Sequence, residues 1–228
     1  YMKKLLLSII FYFLGILHLS AHVGHYKNLN YLEYDLFRNN NLIGKHTYKF
    51  IYEGNNLKIE SEVYFKIKKF NIVLYNYYAK SEENYKDGKF ISFKSKTNQN
   101  KKEKYVNIQR DSAKNVLKVD GSSFKGETSI DNIIGTWWNH EIVQAKAQIS
   151  AVSGRIIKQN VEFIGKEDIK VDEKTYQTLH FNFSSSDKKL SDDKKLNTDI
   201  WYDDQTKIWI KAAFDKRGYW EYRLKEFR

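Results

Sequence analysis

The sequence predicts an all-β protein: one long, curved antiparallel sheet forming a barrel or half-barrel, with one short helical or loop segment near residues 130–145. Three observations predict it. Apolar and polar residues alternate with period two through most of the chain, the pattern of strands buried on one face. Turn dipeptides such as Gly54-Asn55 and Asp87-Gly88 recur between the alternating runs. One stretch, Thr128 to Ile149, loses the alternation and carries Ile130, Ile133, Ile134, Trp137, Trp138, Ile142 and Val143 instead.

The chain opens on Lys3 and Lys4, an apolar run from Leu5 to Leu17, and Ser20-Ala21. A charged start, a short apolar stretch and a small residue form a secretory signal peptide. The run is shorter than the ~20 residues of a spanning helix. The expected organisation is therefore a signal peptide over 1–21 and a single β-barrel-like domain over 22–228, exported to the periplasm. Leu19 stands where a small residue is preferred, so an uncleaved anchor is the alternative.

Each run of alternation is a strand. Leu32, Tyr34 and Leu36 alternate with Glu33 and Asp35. Tyr48, Phe50 and Tyr52 share a face, and Leu57, Ile59, Val63, Phe65 and Ile67 share another. With Gly54-Asn55 as a two-residue loop, Tyr52 falls opposite Leu57, Phe50 opposite Ile59, and Lys49 opposite Glu60. Apolar faces then coincide and opposite charges meet. Asp87-Gly88 places Tyr85 opposite Phe90. Near the C-terminus, the loop Lys216-Arg217-Gly218 pairs Phe214 with Trp220, Ala212 with Tyr222 and Ile210 with Leu224. A three-residue loop Asp204-Gln205-Thr206 would pair Trp201 with Trp209 and Asp199 with Lys211. Ser184 to Lys195 is polar, low in complexity and expected to be a mobile loop. The irregular Thr128–Ile149 stretch is expected to be a plug or lid over the sheet.

Composition narrows the function classes. The net charge is +11, and losing Lys3 and Lys4 with the leader lowers it to +9. Lysines scattered among acids on strand faces read as solvated surface, with a basic face toward anionic lipid or polysaccharide as the competing reading. Peripheral contact with the membrane belongs to that reading. Nucleic acid is a poor partner for an exported chain without a recognition motif. There is no cysteine and no proline, hence no disulfide, no thiolate metal site and no thiol nucleophile.

Trp137-Trp138-Asn139-His140-Glu141 is the densest chemical candidate. A His beside a Glu suits acid–base work, and indoles suit a sugar or an apolar pocket. The competing reading makes the indoles core and His140-Glu141 a solvated turn. His22 and His25 would offer a copper chelate at a new N-terminus, or a free tail. His180 reads as an isolated strand histidine. Asp199, Trp201, Asp203 and Trp209 form a second patch, in which strand-neighbour carboxylates suit a glycosidase pair or plain cross-strand ion pairs. HExxH, GxSxG and a Gly-rich phosphate loop are all absent, so no metal and no cofactor are expected.

Tyr31-x-x-Tyr34-x-Leu36, Leu42-Ile43-Gly44-x-His46, Trp137-Trp138-Asn139, Asp199-Ile200-Trp201-Tyr202 ahead of Trp209, and Tyr222-Arg223-Leu224 together resemble a family of secreted alphaproteobacterial proteins known only as a domain of unknown function. In such proteins proline typically follows the aromatic-Trp-Asn triplet; here His140 does. The resemblance implies a periplasmic, β-rich, non-enzymatic protein. The expected function is binding of lipid or another hydrophobic envelope molecule, with Trp137, Trp138, Asn139, His140, Trp201 and Trp209 as candidate ligand-binding residues. The alternatives are an envelope enzyme acting on glycan or lipid through His140, Glu141 or Asp199, and an interaction module using the Trp201/Trp209 face.

Overall fold

The computed structural model of the chain describes residues 26–228. The leader expected over 1–21, and His22 and His25, lie outside the described residues. Fifteen strands form one sheet. The first half comprises β1 (Tyr31–Arg38), β2 (Asn41–Glu53), β3 (Asn56–Lys69), β4 (Ile72–Lys86), β5 (Lys89–Gln99), β6 (Lys102–Asp111), β7 (Val116–Gly121) and β8 (Lys125–Ser129). The second half comprises β9 (Ile133–Ile134), β10 (Ala147–Ile149), β11 (Ile156–Val171), β12 (Lys174–Ser185), β13 (Asn197–Asp203), β14 (Trp209–Asp215) and β15 (Tyr219–Phe227).

Each strand pairs with its neighbour in sequence, and β1 also pairs with β15; the missing link is β8 to β9. The chain therefore runs an up-and-down circuit that stays open at one seam. Pairing is antiparallel except between β9 and β10, which run parallel. Consecutive antiparallel strands need only tight turns, which this composition supplies.

Without proline, the turns rest on residues that tolerate a left-handed backbone. Asn39, Asn40, Asn71, Asn100, Asn115 and Asp172 all have positive φ. Asp87 and Gly88, at φ 49° and 72°, make the two-residue turn expected of that dipeptide and set Tyr85 opposite Phe90. Gly54 at φ 58° sets Tyr52 opposite Leu57, Phe50 opposite Ile59 and Lys49 opposite Glu60. Phe214 meets Trp220 and Ala212 meets Tyr222, also as expected.

The β13–β14 register corrects the sequence reading. A bulge after Trp201 sets Trp201 opposite Lys211, Tyr202 opposite Trp209 and Asp199 opposite Ala213. Trp201 and Trp209 therefore lie on opposite faces of the sheet, and Lys211 pairs with Glu221 at 2.8 Å rather than with Asp199. The cause is the turn. The Asp203 carboxylate accepts hydrogen bonds from the Gln205 and Thr206 backbone N–H groups, and Lys207 turns left-handed at φ 58°. That turn consumes more residues than the simple three-residue loop allows, and the bulge absorbs the difference.

The inward face holds two clusters. The larger gathers Leu32, Tyr34, Tyr48, Ile59, Trp138, Phe183, Tyr202 and Trp209; the smaller gathers Phe93, Val106, Ile108, Leu117, Ile134 and Ile149. The irregular segment is a plug. A 3-10 helix at His140–Gln144 and the short strands β9 and β10 carry it, and Trp138 is only 1% exposed. The polar stretch after β12 forms the expected loop, and Lys216 Nζ donates to its Asp193 carbonyl at 2.5 Å.

A buried histidine packs against the rings of the larger cluster. His46 is buried between Tyr48, whose ring centroid is 4.3 Å away, and Ser61, whose hydroxyl is 2.8 Å from Nε2. Burial pushes its pKa down to about 3. A depressed value means that its contribution to stability is complete above the ordinary imidazole value and is lost as pH falls toward the folded one. Between pH 6.5 and 5 this amounts to about 1.5 kcal/mol. Urea titrations should show His46→Gln losing that much less stability than the wild type over the same interval. Identical pH slopes would contradict a neutral, buried His46.

Candidate functional site

The site lies where the sheet fails to close. Its floor comes from β4, where period-two alternation turns Glu83 and Tyr85 inward. Glu83 sits between Ile59 on β3 and Phe93 on β5, both fully buried. A carboxylate there is largely removed from water, so it needs donors. Trp138 Nε1 donates to Oε2 at 3.0 Å, Thr136 Oγ1 lies 3.5 Å from the same oxygen, and the Tyr85 hydroxyl donates to Oε1. Burial raises the Glu83 pKa to about 6, with the three donors pulling against it. At neutral pH the group is mostly ionised, and near pH 6 it is half protonated.

The plug that supplies two of these donors is bonded to the wall through its backbone. The Tyr48 hydroxyl donates to the Thr136 carbonyl at 2.5 Å, and the Tyr202 hydroxyl donates to the Trp137 carbonyl at 2.9 Å. Trp138 N–H returns to the Thr136 carbonyl at 2.9 Å, closing a three-residue turn with Trp137 at its centre at φ 62°. A bulky side chain in that region costs about 1–3 kcal/mol. The same turn directs the two indoles into different parts of the core. Trp137 packs edge-on against Trp209 and Tyr222. Trp138 packs edge-on against Tyr26, Phe50 and Tyr85. Asn139 caps the 3-10 helix by accepting from Glu141 N–H at 3.1 Å. His140 donates its backbone N–H to the Tyr26 hydroxyl, which donates in turn to the Lys207 carbonyl.

Above Glu83 opens a cleft of about 410 Å³. Phe90, Leu117, Ile130, Ile133 and Ile134 line it on apolar surface; Tyr85, Asn139, Glu141 and Gln144 supply polar groups, and Lys89 and Arg110 supply positive charge. Of the residues singled out in the sequence, Asn139 and Glu141 line this cleft, whereas Trp137, Trp138, His140, Trp201 and Trp209 do not. Trp138 and Trp209 are core, and Trp209 stacks on Tyr34 with ring centroids 4.0 Å apart.

Trp201 belongs to the outer face. It stacks on His180 at 4.3 Å, lies under Lys211 Nζ at 5.0 Å, and donates its indole N–H to Glu167 at 2.6 Å. It is 8% exposed, so this face presents no bare tryptophan patch. His180 has company: Nδ1 lies 2.8 Å from Glu167 and Nε2 3.0 Å from Asp199. With a carboxylate at each ring nitrogen, neither nitrogen is available to take a proton from a substrate. His180 thus ties β12 to Glu167 on β11 and to Asp199 on β13. Among the described residues, no group of three or more His, Asp or Glu is arranged to hold a metal ion.

Sequence reasoning missed Glu83, Tyr85 and Arg110 as site residues. The signal for Glu83 was present. Once Asp87-Gly88 turns Tyr85 inward, the acid two residues earlier must share that face.

Comparison with known proteins fits this architecture. A domain of unknown function, DUF6134, matches residues 34–225. The chain belongs to that family. No curated protein matches it in sequence. Among solved structures it is similar to a β-barrel-like protein of the domain of unknown function DUF1849 from Brucella abortus. That match has a TM-score of 0.58 and 12% identity and covers 88% of this chain and 97% of the other. At that identity the likeness concerns the fold alone.

A raised carboxyl pKa contributes stability below the unfolded value near 4.5 and loses it as pH rises through the folded value of about 6. The full effect is about 2 kcal/mol. It opposes the His46 dependence. Glu83→Gln, which stays uncharged, should remove the loss of stability on going from pH 4.5 to 6.5, leaving a steeper net rise with pH than in the wild type. A Gln variant with unchanged pH dependence would show that Glu83 titrates as if exposed.

Proposed function

We propose that the protein is exported to the periplasm and there binds, without converting it, a single-chain amphiphile of the cell envelope in the seam cleft. The observation that carries this reading is the buried Glu83 carboxylate at the floor of a cleft with one apolar wall. Binding sites are mostly apolar concavities with a few convergent polar groups, and this one sits at the single break in an otherwise continuous sheet. Its volume of about 410 Å³ is near the small end of the ~300–1,000 Å³ range of ligand pockets. That suits a head group and part of one chain rather than a two-chain lipid.

The polar lining selects the head. Glu83, Asp131 and Glu141 suit an ammonium, and Lys89 and Arg110 suit a phosphate, so a zwitterionic phosphoethanolamine head satisfies both signs. Phe90, Leu117, Ile130 and Ile133 then face the first methylenes. The packed Trp137–Trp138 plug leaves no hollow centre, which favours the seam cleft over the middle of the sheet as the binding site.

Calorimetric titration with lysophosphatidylethanolamine below its micellar concentration tests the reading. The wild type should bind it, and Arg110→Ala and Glu83→Gln should each weaken binding about tenfold or more, the worth of one charge-assisted bond. Alkyl sulfates of equal chain length should bind less well. Native mass spectrometry of protein recovered from its own membrane fraction should retain a ligand of this class. Absence of binding to the wild type, or wild-type affinity in both variants, would contradict the assignment.

A further inference from the structure

A second surface, distant in sequence from the cleft lining, has its own chemistry. The last pair joining β3 to β2 is Phe65 with Gly44, and the first joining β4 to β5 is Tyr77 with Gln99. The Asn76 carbonyl still accepts from Asn100 N–H, and residues 66–75 beyond it form a two-stranded ribbon paired with itself, Lys69 meeting Ile72 beside its turn. Such ribbons are marginal in water and normally end in polar turns. This one ends in Phe70-Asn71-Ile72-Val73-Leu74. Phe70 is 87% exposed, Ile72 65%, Leu74 54% and Val73 47%.

Three features say what covers this tip. Ile72, Val73 and Leu74 are consecutive, so side chains on both faces of the ribbon are apolar. A groove on a protein would cover one face; a fluid apolar medium covers both. Next, Phe70 holds φ 50° in a two-residue turn. At the same first position the equivalent turns of this chain carry Asn39, Gly54, Asp87 and Asn100, residues suited to that backbone. Folding does not call for phenylalanine there. Last, residues 63–81 contain Lys66, Lys68, Lys69 and Lys80 and no acid. Lys69 Nζ lies 5.6 Å from the Phe70 ring centroid, which places positive charge at the base of the apolar tip.

We propose that the β3–β4 hairpin tip is a membrane-docking wedge that inserts its apolar residues into an anionic bilayer while the lysines contact the head groups. Apolar insertion combined with a basic collar is the usual recipe for reversible attachment to such surfaces. The neighbouring turn strengthens the case: Asn39 N–H bonds the Tyr219 carbonyl, joining two turns that bring Arg38 and Arg217 to the same end of the sheet.

Flotation with vesicles tests this without reference to the cleft. The protein should float with phosphatidylcholine–phosphatidylglycerol vesicles and much less with phosphatidylcholine alone, and high salt should weaken attachment. Phe70→Asn should weaken binding at least tenfold while leaving thermal stability equal or higher, because asparagine suits the turn. Lys68→Glu with Lys69→Glu should do the same on anionic vesicles. Ile91→Asn, at an exposed apolar residue outside the tip, should change nothing. Phe70→Asn floating as well as the wild type would overturn the proposal. So would a concentration-dependent dimer that Phe70→Asn dissolves, since a second copy would then be the occupant. Lysolipid titration of Phe70→Asn should match the wild type, so the two sites fail or stand separately.

Discussion

The structure depends on a piece of irregular chain being held inside a curved sheet. Backbone N–H and C=O groups removed from water must find partners, and a turn inside a barrel has no neighbouring strand to supply them. Here tyrosine hydroxyls on the wall, and that of Tyr26 in the turn ahead of β1, do so. Tyr48 and Tyr202 bond the carbonyls of Thr136 and Trp137, and Tyr26 bonds the His140 N–H. Each of these phenols also contributes ring area to the larger core cluster. Their abundance in the chain then has a structural reason: a tyrosine reaches across a core and ends in a hydrogen-bonding group. The plug fills most of the space, so the sheet can remain open at β8–β9 and keep the Glu83 cleft beside the plug.

The same arrangement places two ionisable groups of opposite behaviour in one core. His46 is kept neutral by burial, and Glu83 is pushed toward its neutral form by the same cause. The difference lies in their partners. His46 has Ser61 on one nitrogen, and its Nδ1 is buried without a partner. Glu83 has three donors and a cleft above it. A carboxylate that burial drives toward its neutral form, at the floor of an accessible cleft, marks a candidate functional group.

Much of the fold was legible in the sequence because β-hairpins are local. Gly54-Asn55 and Asp87-Gly88 set their registers through backbone preferences of two residues, and alternation did the rest. The Trp201–Trp209 pairing went wrong for a local reason too: the Asx turn at Asp203 and the left-handed Lys207 demand a bulge, and a bulge moves one indole to the other face. The Trp137–Trp138 segment was recognised as irregular, but whether it plugs or covers is decided by tyrosines on β2 and β13, distant in sequence. Glu83 hid because an acid in an alternating strand is ordinarily on the wet face. His180 looked isolated because its partners Glu167 and Asp199 come from the two flanking strands.

The plug is part of the core and not a lid that opens. The Trp138 indole N–H, bonded to Glu83 at 3.0 Å, reports on this directly through native-state hydrogen exchange followed by NMR. Its exchange should require the same free energy as the slowest backbone amides of β2 and β13, and should respond to denaturant with the slope of global unfolding. Exchange with a small, denaturant-independent free energy, while the strand amides remain protected, would show that the segment opens on its own and would contradict the account.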